Sequence, residues 1–77
     1  MREFLEFIVR HLVDYPELVV IDQVEVDMTV TFTLRVGPGE VGRVIGRSGR
    51  TAQAIRILLA AVAARQGRRA MVEIAGT

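Results

Sequence analysis

Between residues 2 and 13 the apolar positions recur at helical spacing. Phe4, Leu5, Ile8 and Leu12 share one stripe, while Arg2, Glu6 and Arg10 lie opposite. The pattern predicts an amphipathic helix that stops at Tyr15-Pro16, because the residue before proline avoids the α region. On this reading Phe4, Phe7 and Phe32 are core packing, not a platform for stacked bases. The period then drops to two. Val30, Phe32, Leu34 and Val36 alternate with Thr29, Thr31, Thr33 and Arg35, which predicts a strand over 29–36 with one buried face. A less regular strand over 19–27 precedes it, with Val24 and Val26 set against Gln23, Glu25 and Asp27. Asp27-Met28 is the expected hairpin turn.

Gly37-Pro38-Gly39 breaks the second strand, and residues 40–45 have room for barely two helical turns before Gly46-Arg47-Ser48-Gly49 intervenes. A long helix is predicted over 51–66, capped at its far end by Gly67. Ala52, Ile55, Leu59 and Val62 form one of its faces; Ala54, Ile57, Leu58 and Ala61 are apolar on others. A helix apolar on more than one side has more than one side to bury. Residues 70–75 supply a last strand with Val72 and Ile74 inward. The expected fold is α+β, in the order α-β-β-α-α-β, with a three-stranded sheet and three helices on one face. It forms a single domain over 1–77.

Composition narrows the chemistry. A chain of 77 residues buries only about 60% of its unfolded surface, enough for one modest core. It has no cysteine, so no disulfide framework and no thiolate metal site. Ser48 is the only serine, His11 the only histidine, and there is no lysine, leaving almost no stock for a catalytic triad or a histidine metal site. His11 reads as a solvated histidine near a helix end. No enzyme activity, cofactor or metal is expected. The longest uncharged run, residues 57–64, is far short of the ~20 needed to cross a bilayer. The opening MREFLEFIVRHL carries acids among its apolar residues and resembles neither a signal nor a transit peptide. A small soluble cytoplasmic protein is the expectation.

The net charge of +1 conceals a polarity. Residues 1–40 hold three arginines against eight acids, net −5, whereas residues 41–77 hold seven arginines against Glu73 alone, net +6. One basic half focuses field on a polyanion while the whole stays soluble. All of the positive side chains are arginine, the planar donor suited to phosphate and base stacking.

Two glycine motifs compete for a ligand. Gly37-Pro38-Gly39-Glu40-Val41-Gly42 matches the G-x-G-x-x-G of dinucleotide-binding folds. The acid expected about 20 residues on is missing, a second glycine pair cuts the helix short, and three strands are too few for a doubly wound sheet. These glycines read as turn residues. The second motif, Val44-Ile45-Gly46-Arg47-Ser48-Gly49-Arg50-Thr51, places two glycines between a short helix and a long one. Glycine there permits a sharp bend and close approach of another chain, and the helix that follows offers unpaired N–H groups to an anion. Arg43, Arg47 and Arg50 flank the seat, and Ser48 supplies a hydroxyl or a cap.

Val-Ile-Gly-Arg-Ser-Gly resembles the I-G-x-x-G loop of KH domains, here in the type II order. The whole chain is similar to the short single-KH bacterial RNA-binding proteins of the KhpA (YlqC) family. The likeness rests on Leu12-Val13-Asp14, Leu34-Arg35-Val36, Gly42-Arg43-Val44-Ile45-Gly46 and Gly49-Arg50-Thr51-Ala52, and covers essentially the full length. The family commonly has lysine at Arg43 and Arg47, which preserves the charge. The resemblance implies a grip on about four unpaired nucleotides. Gly46 and Gly49 would permit close approach, Arg47 and Ser48 would face phosphate, and Ile45 would pack beneath the loop. Arg43, Arg50 and Thr51 complete the expected RNA-binding set. Met71 to Ile74 would form the other wall of the groove, and Val44 and Ile55 are either its floor or plain core. The likeness further implies homodimers, a larger KH-containing partner of the Jag/KhpB type, RNA chaperone or post-transcriptional activity, and control of cell shape, division or the cell wall.

About three phosphates gripped at ~0.7 counterion each imply a log K against log salt slope near −2. Without an aromatic platform, binding by one domain is expected to be micromolar and only modestly selective. A second copy or partner would raise the effective concentration, and Ile57, Ala61 and Ala64 are candidates for self-association. The alternative function is a protein–protein adaptor whose KH fold has lost RNA binding.

Overall fold

The computed structural model describes residues 1–75. Its elements run α1 (Arg2–Leu12), β1 (Val20–Val26), β2 (Thr29–Arg35), α2 (Val41–Ile45), α3 (Arg50–Arg65) and β3 (Arg69–Ile74), the order read from the sequence. Two 3₁₀ turns that periodicity does not reveal, Pro16–Leu18 and Arg47–Gly49, lie between α1 and β1 and between α2 and α3.

The sheet has the order β1-β2-β3, antiparallel between β1 and β2 and parallel between β2 and β3. The central strand carries the alternation that defines it: Val30, Phe32 and Leu34 are fully buried, and the threonines between them are half-buried on the other face. Leu5 and Val9 of α1, Val44 of α2, and Ile55 and Leu59 of α3 join these residues, Ile21 and Val72 in one core. All three helices therefore cover the same face of the sheet, and the other face stays open.

The hairpin is the two-residue turn at Asp27-Met28, with Asp27 at φ 54°. It fixes the register Val26↔Thr29, which places Ile21 beside Leu34 in the core and Val24 beside Thr31 on the open face. Val24 and Val26 are consequently exposed, and Ile21 is the one buried residue of β1. Local alternation could not choose between those faces; the turn did.

The aromatic reading needs correction. Phe32 sits at the centre of the core, but Phe4 is at the surface and Phe7 is 62% exposed, with its ring 4.4 Å from that of His11. The buried line on α1 is Leu5, Val9 and, just past the helix, Val13, one turn apart each time. Phe7 falls outside it. His11 Nδ1 lies 2.7 Å from the Phe7 carbonyl oxygen near the helix end.

Gly67 at φ 70° ends α3 as expected. The Arg68 N–H donates to the Ala63 carbonyl and the Gly67 N–H to that of Ala64, the paired bonds of a Schellman cap. The chain then reverses into β3, and Arg68 pairs with Glu25 at 3.0 Å beside the hairpin turn.

Replacing Phe32 with alanine should destabilise the fold by about 3–5 kcal/mol. Phe7→Ala should change it by no more than about 0.5–1 kcal/mol. Urea unfolding of the two variants tests the assignment; comparable losses would place Phe7 in the core after all.

Candidate nucleic-acid interface

Two turns set the approach to the site. Pro38 and Gly39, the latter at φ 77°, occupy the centre of a tight turn closed by the Glu40 N–H donating to the Gly37 carbonyl. The first glycine motif is thus a chain reversal that delivers Glu40 to the start of α2. Glu40 is only 3% exposed, and its carboxylate accepts the backbone N–H groups of Asp14 and, at 3.4 Å, Tyr15. It ties the segment after α1 to the start of α2. Gly37 is part of this fit: a Cβ there would lie 3.0 Å from the Leu18 side chain and 3.3 Å from the Glu40 carboxylate. The burial of Glu40 is not written in the hydrophobic pattern around it. The signal available was an acid directly between a Gly-Pro-Gly turn and a short helix.

The second motif forms the corner between α2 and α3. Gly46 has φ 76° and ψ 176°, a conformation open essentially to glycine alone. A Cβ on it would also fall 2.2 Å from Thr51 Oγ1 and 2.9 Å from the Thr51 backbone nitrogen. Ser48 and Gly49 follow, both left-handed at φ 57° and 74°. Ser48 is a non-glycine residue held in a conformation that costs about 1–2 kcal/mol, the kind of strain that collects at binding sites. Nothing lies within 4 Å of where a Gly49 Cβ would be, so that glycine answers to backbone conformation and leaves open space beside it.

The electrostatics of this corner are unusual. The N-terminus of α3 has no side-chain cap and no acid in its first turn. A helix start ordinarily attracts acids and polar caps, because its N–H groups and dipole present positive charge. Here Arg47 and Arg50 stand beside it, both exposed, and among the described residues neither takes part in an ion pair. Ser48 is exposed and caps nothing, against one of the two roles expected for it. The arrangement raises the free energy of the corner, because positive charge is gathered there with no acid to offset it.

The structure brings Gly46, Arg47, Ser48, Gly49 and Arg50 together on this corner, with Thr51 filling its inside. Arg43 is engaged elsewhere, with Nη2 3.0 Å from Asp14 Oδ2. Ile45 does not pack beneath the loop: it is 38% exposed, and the buried residue of that turn is its neighbour Val44. On so short a helix only one side faces the core, and Val44 takes it. Val44 and Ile55 are both core, not an accessible floor. Met71 is exposed, Val72 buried and Ile74 half-buried. Among the described residues no three histidine, cysteine or acidic side chains cluster to hold a metal ion. No helix among them is long and apolar enough to cross a membrane.

The family described as KhpA/KhpB, KH domain, matches residues 2–74. This chain belongs to that family. Curated KhpA proteins match along most of their length. The RNA-binding protein KhpA of Chlamydia trachomatis is 45% identical over 74 residues, covering 96% of this chain and 95% of the relative. Those of Clostridium acetobutylicum and Borreliella burgdorferi are 39% and 46% identical, covering 96% and 94% of this chain and 99% and 88% of theirs. No solved structure gives a significant match.

The two loop glycines should not be equivalent. Gly49→Ala should cost about 1–2 kcal/mol, the left-handed penalty alone. Gly46→Ala adds an overpacking cost of about 1–3 kcal/mol against Thr51, and should unfold at clearly lower denaturant. Equal losses in chemical denaturation would mean that the Thr51 contact does not constrain the corner.

Proposed function

We propose that this chain is a non-catalytic module that binds single-stranded RNA, with the 46–49 corner clamping the sugar–phosphate backbone. The observation that carries the reading is the start of α3: uncapped, free of acids, and flanked by two unpaired exposed arginines. Arg47 and Ser48 contact phosphate, and Gly46 and Gly49 let the strand approach the main chain. Ile45, Arg50 and Thr51 border the contact, and Arg43, paired with Asp14, stands next to it on α2. The names of the KhpA relatives support RNA as the polyanion. We assign the chain a cytoplasmic role as an RNA chaperone or post-transcriptional regulator, acting on cell shape or the cell wall.

Single-domain binding with few contacts is weak, so avidity matters. The outer side of α3 supplies a surface for it: Ile57, Leu58, Ala61 and Ala64 are exposed. We propose that this side pairs two copies, or one copy with a larger KH-containing partner of the KhpB type.

Arg47→Asp with Ser48→Asp puts two carboxylates where phosphate is proposed to sit. The folded double variant should lose RNA affinity by at least about tenfold, and the wild type should give a log K against log salt slope near −2. Retention of RNA by the double variant in filter binding would favour the adaptor function. Separately, Ile57→Asp should convert a dimer to a monomer in sedimentation analysis without changing the circular dichroism spectrum. A wild type that is monomeric throughout would remove α3 as a self-association surface.

A further inference from the structure

β3 is an edge strand, bonded to β2 on one side only. The Arg69 and Ala75 N–H groups donate to the Met28 and Leu34 carbonyls, so the odd positions turn their main-chain groups toward β2. The even positions, Val72 among them, turn theirs to the free edge. One group on that edge is taken. Arg56, on the surface of α3, donates from Nε and from Nη2 to the Val72 carbonyl, each at 3.3 Å. A guanidinium has five N–H donors, so three remain. At Val72 the carbonyl is engaged while the N–H still points outward, so at this residue the edge offers donors and no free acceptor.

Arg56 also stands in line with the loop. It lies seven residues beyond Gly49, about two helical turns, on the same side of α3 and ~10 Å along its axis. A strand whose phosphate rested on the 46–49 corner and that ran along α3 would pass its neighbouring bases over Arg56.

We infer that Arg56 is a specificity-determining residue that makes the β3 edge select bases presenting two adjacent acceptors, cytosine or guanine. This rests on the RNA reading above. Cytosine offers N3 beside O2, and guanine offers N7 beside O6, the pair that arginine reads bidentately in nucleic acids. Every two-point edge of adenine sets the N6 amino donor beside an acceptor, and every such edge of uracil includes its N3–H donor. Both require a protein acceptor, and Arg56 has covered the one at Val72.

The experiment is fluorescence anisotropy with short C-only, A-only and U-only oligoribonucleotides, on the wild type, Arg56→Lys, Arg56→Gln and the Arg47→Asp/Ser48→Asp double variant. Circular dichroism confirms folding of each. The wild type should bind the C oligomer about fivefold or more tightly than the other two. Arg56→Lys keeps the charge but loses the planar fork, and should bind all three with one common affinity; Arg56→Gln, whose amide both donates and accepts, should lose the C preference and bind the A oligomer at least as well as the C oligomer. The Val72 amide resonance should move with the C oligomer and much less with the A oligomer. A wild type with no preference for C, or a preference that persists in Arg56→Lys, overturns the inference. The double variant separates the two failures. If it still binds RNA, the clamp assignment falls, while the Arg56→Lys ratio still decides the role of Arg56.

Discussion

The site depends on how closely the corner at Gly46 comes to Thr51. No side chain fits between them, so α2 and α3 are joined by main chain packed against main chain and a single threonine. The chain then passes through two left-handed residues, Ser48 and Gly49, into a helix start with no side-chain cap. An ordinary helix would cap that end with a serine or an acid. Here the nearest serine is part of the turn itself and the neighbouring charges are arginines. Local stability is lowered at this one point, where positive charge gathers without an acid to offset it.

The acids of the N-terminal half serve the same arrangement from a distance. Glu40, buried, binds the segment after α1 to the start of α2, and Asp14 in that segment pairs with Arg43. Glu25 holds Arg68 at the far end of α3. The charge split along the sequence therefore does not become two separate faces. Arg43 and Arg68 are paired with acids of the other half, and among the described residues Arg47, Arg50, Arg56, Arg65 and Arg69 take part in no ion pair, the first two of them at the corner. Net charge per half overstated the number of arginines available to a ligand.

The sheet contributes through its asymmetry. One face carries the core, and the parallel pairing of β2 with β3 leaves β3 at an edge reachable from α3. An exposed strand edge invites pairing with another chain. A guanidinium over the Val72 carbonyl both blunts that pairing and changes what hydrogen bonds the edge accepts.

The sequence by itself determined the order of elements, the buried face of β2, the Gly67 cap and the place of the 46–49 corner. Each is written in short-range period or in glycine chemistry, which act over a few residues. Tertiary structure decided what those rules leave degenerate. The hairpin turn, not the alternation in β1, sent Val24 to the open face; packing of α1 along Leu5 and Val9 put Phe7 outside; the core took Val44 and exposed Ile45. The roles of Glu40, Arg43 and Arg56 were equally out of reach, since their partners lie 16 or more residues away and nothing in the local pattern names them. Period and propensity specify which way a residue can face, and only the assembled core specifies which neighbour it meets.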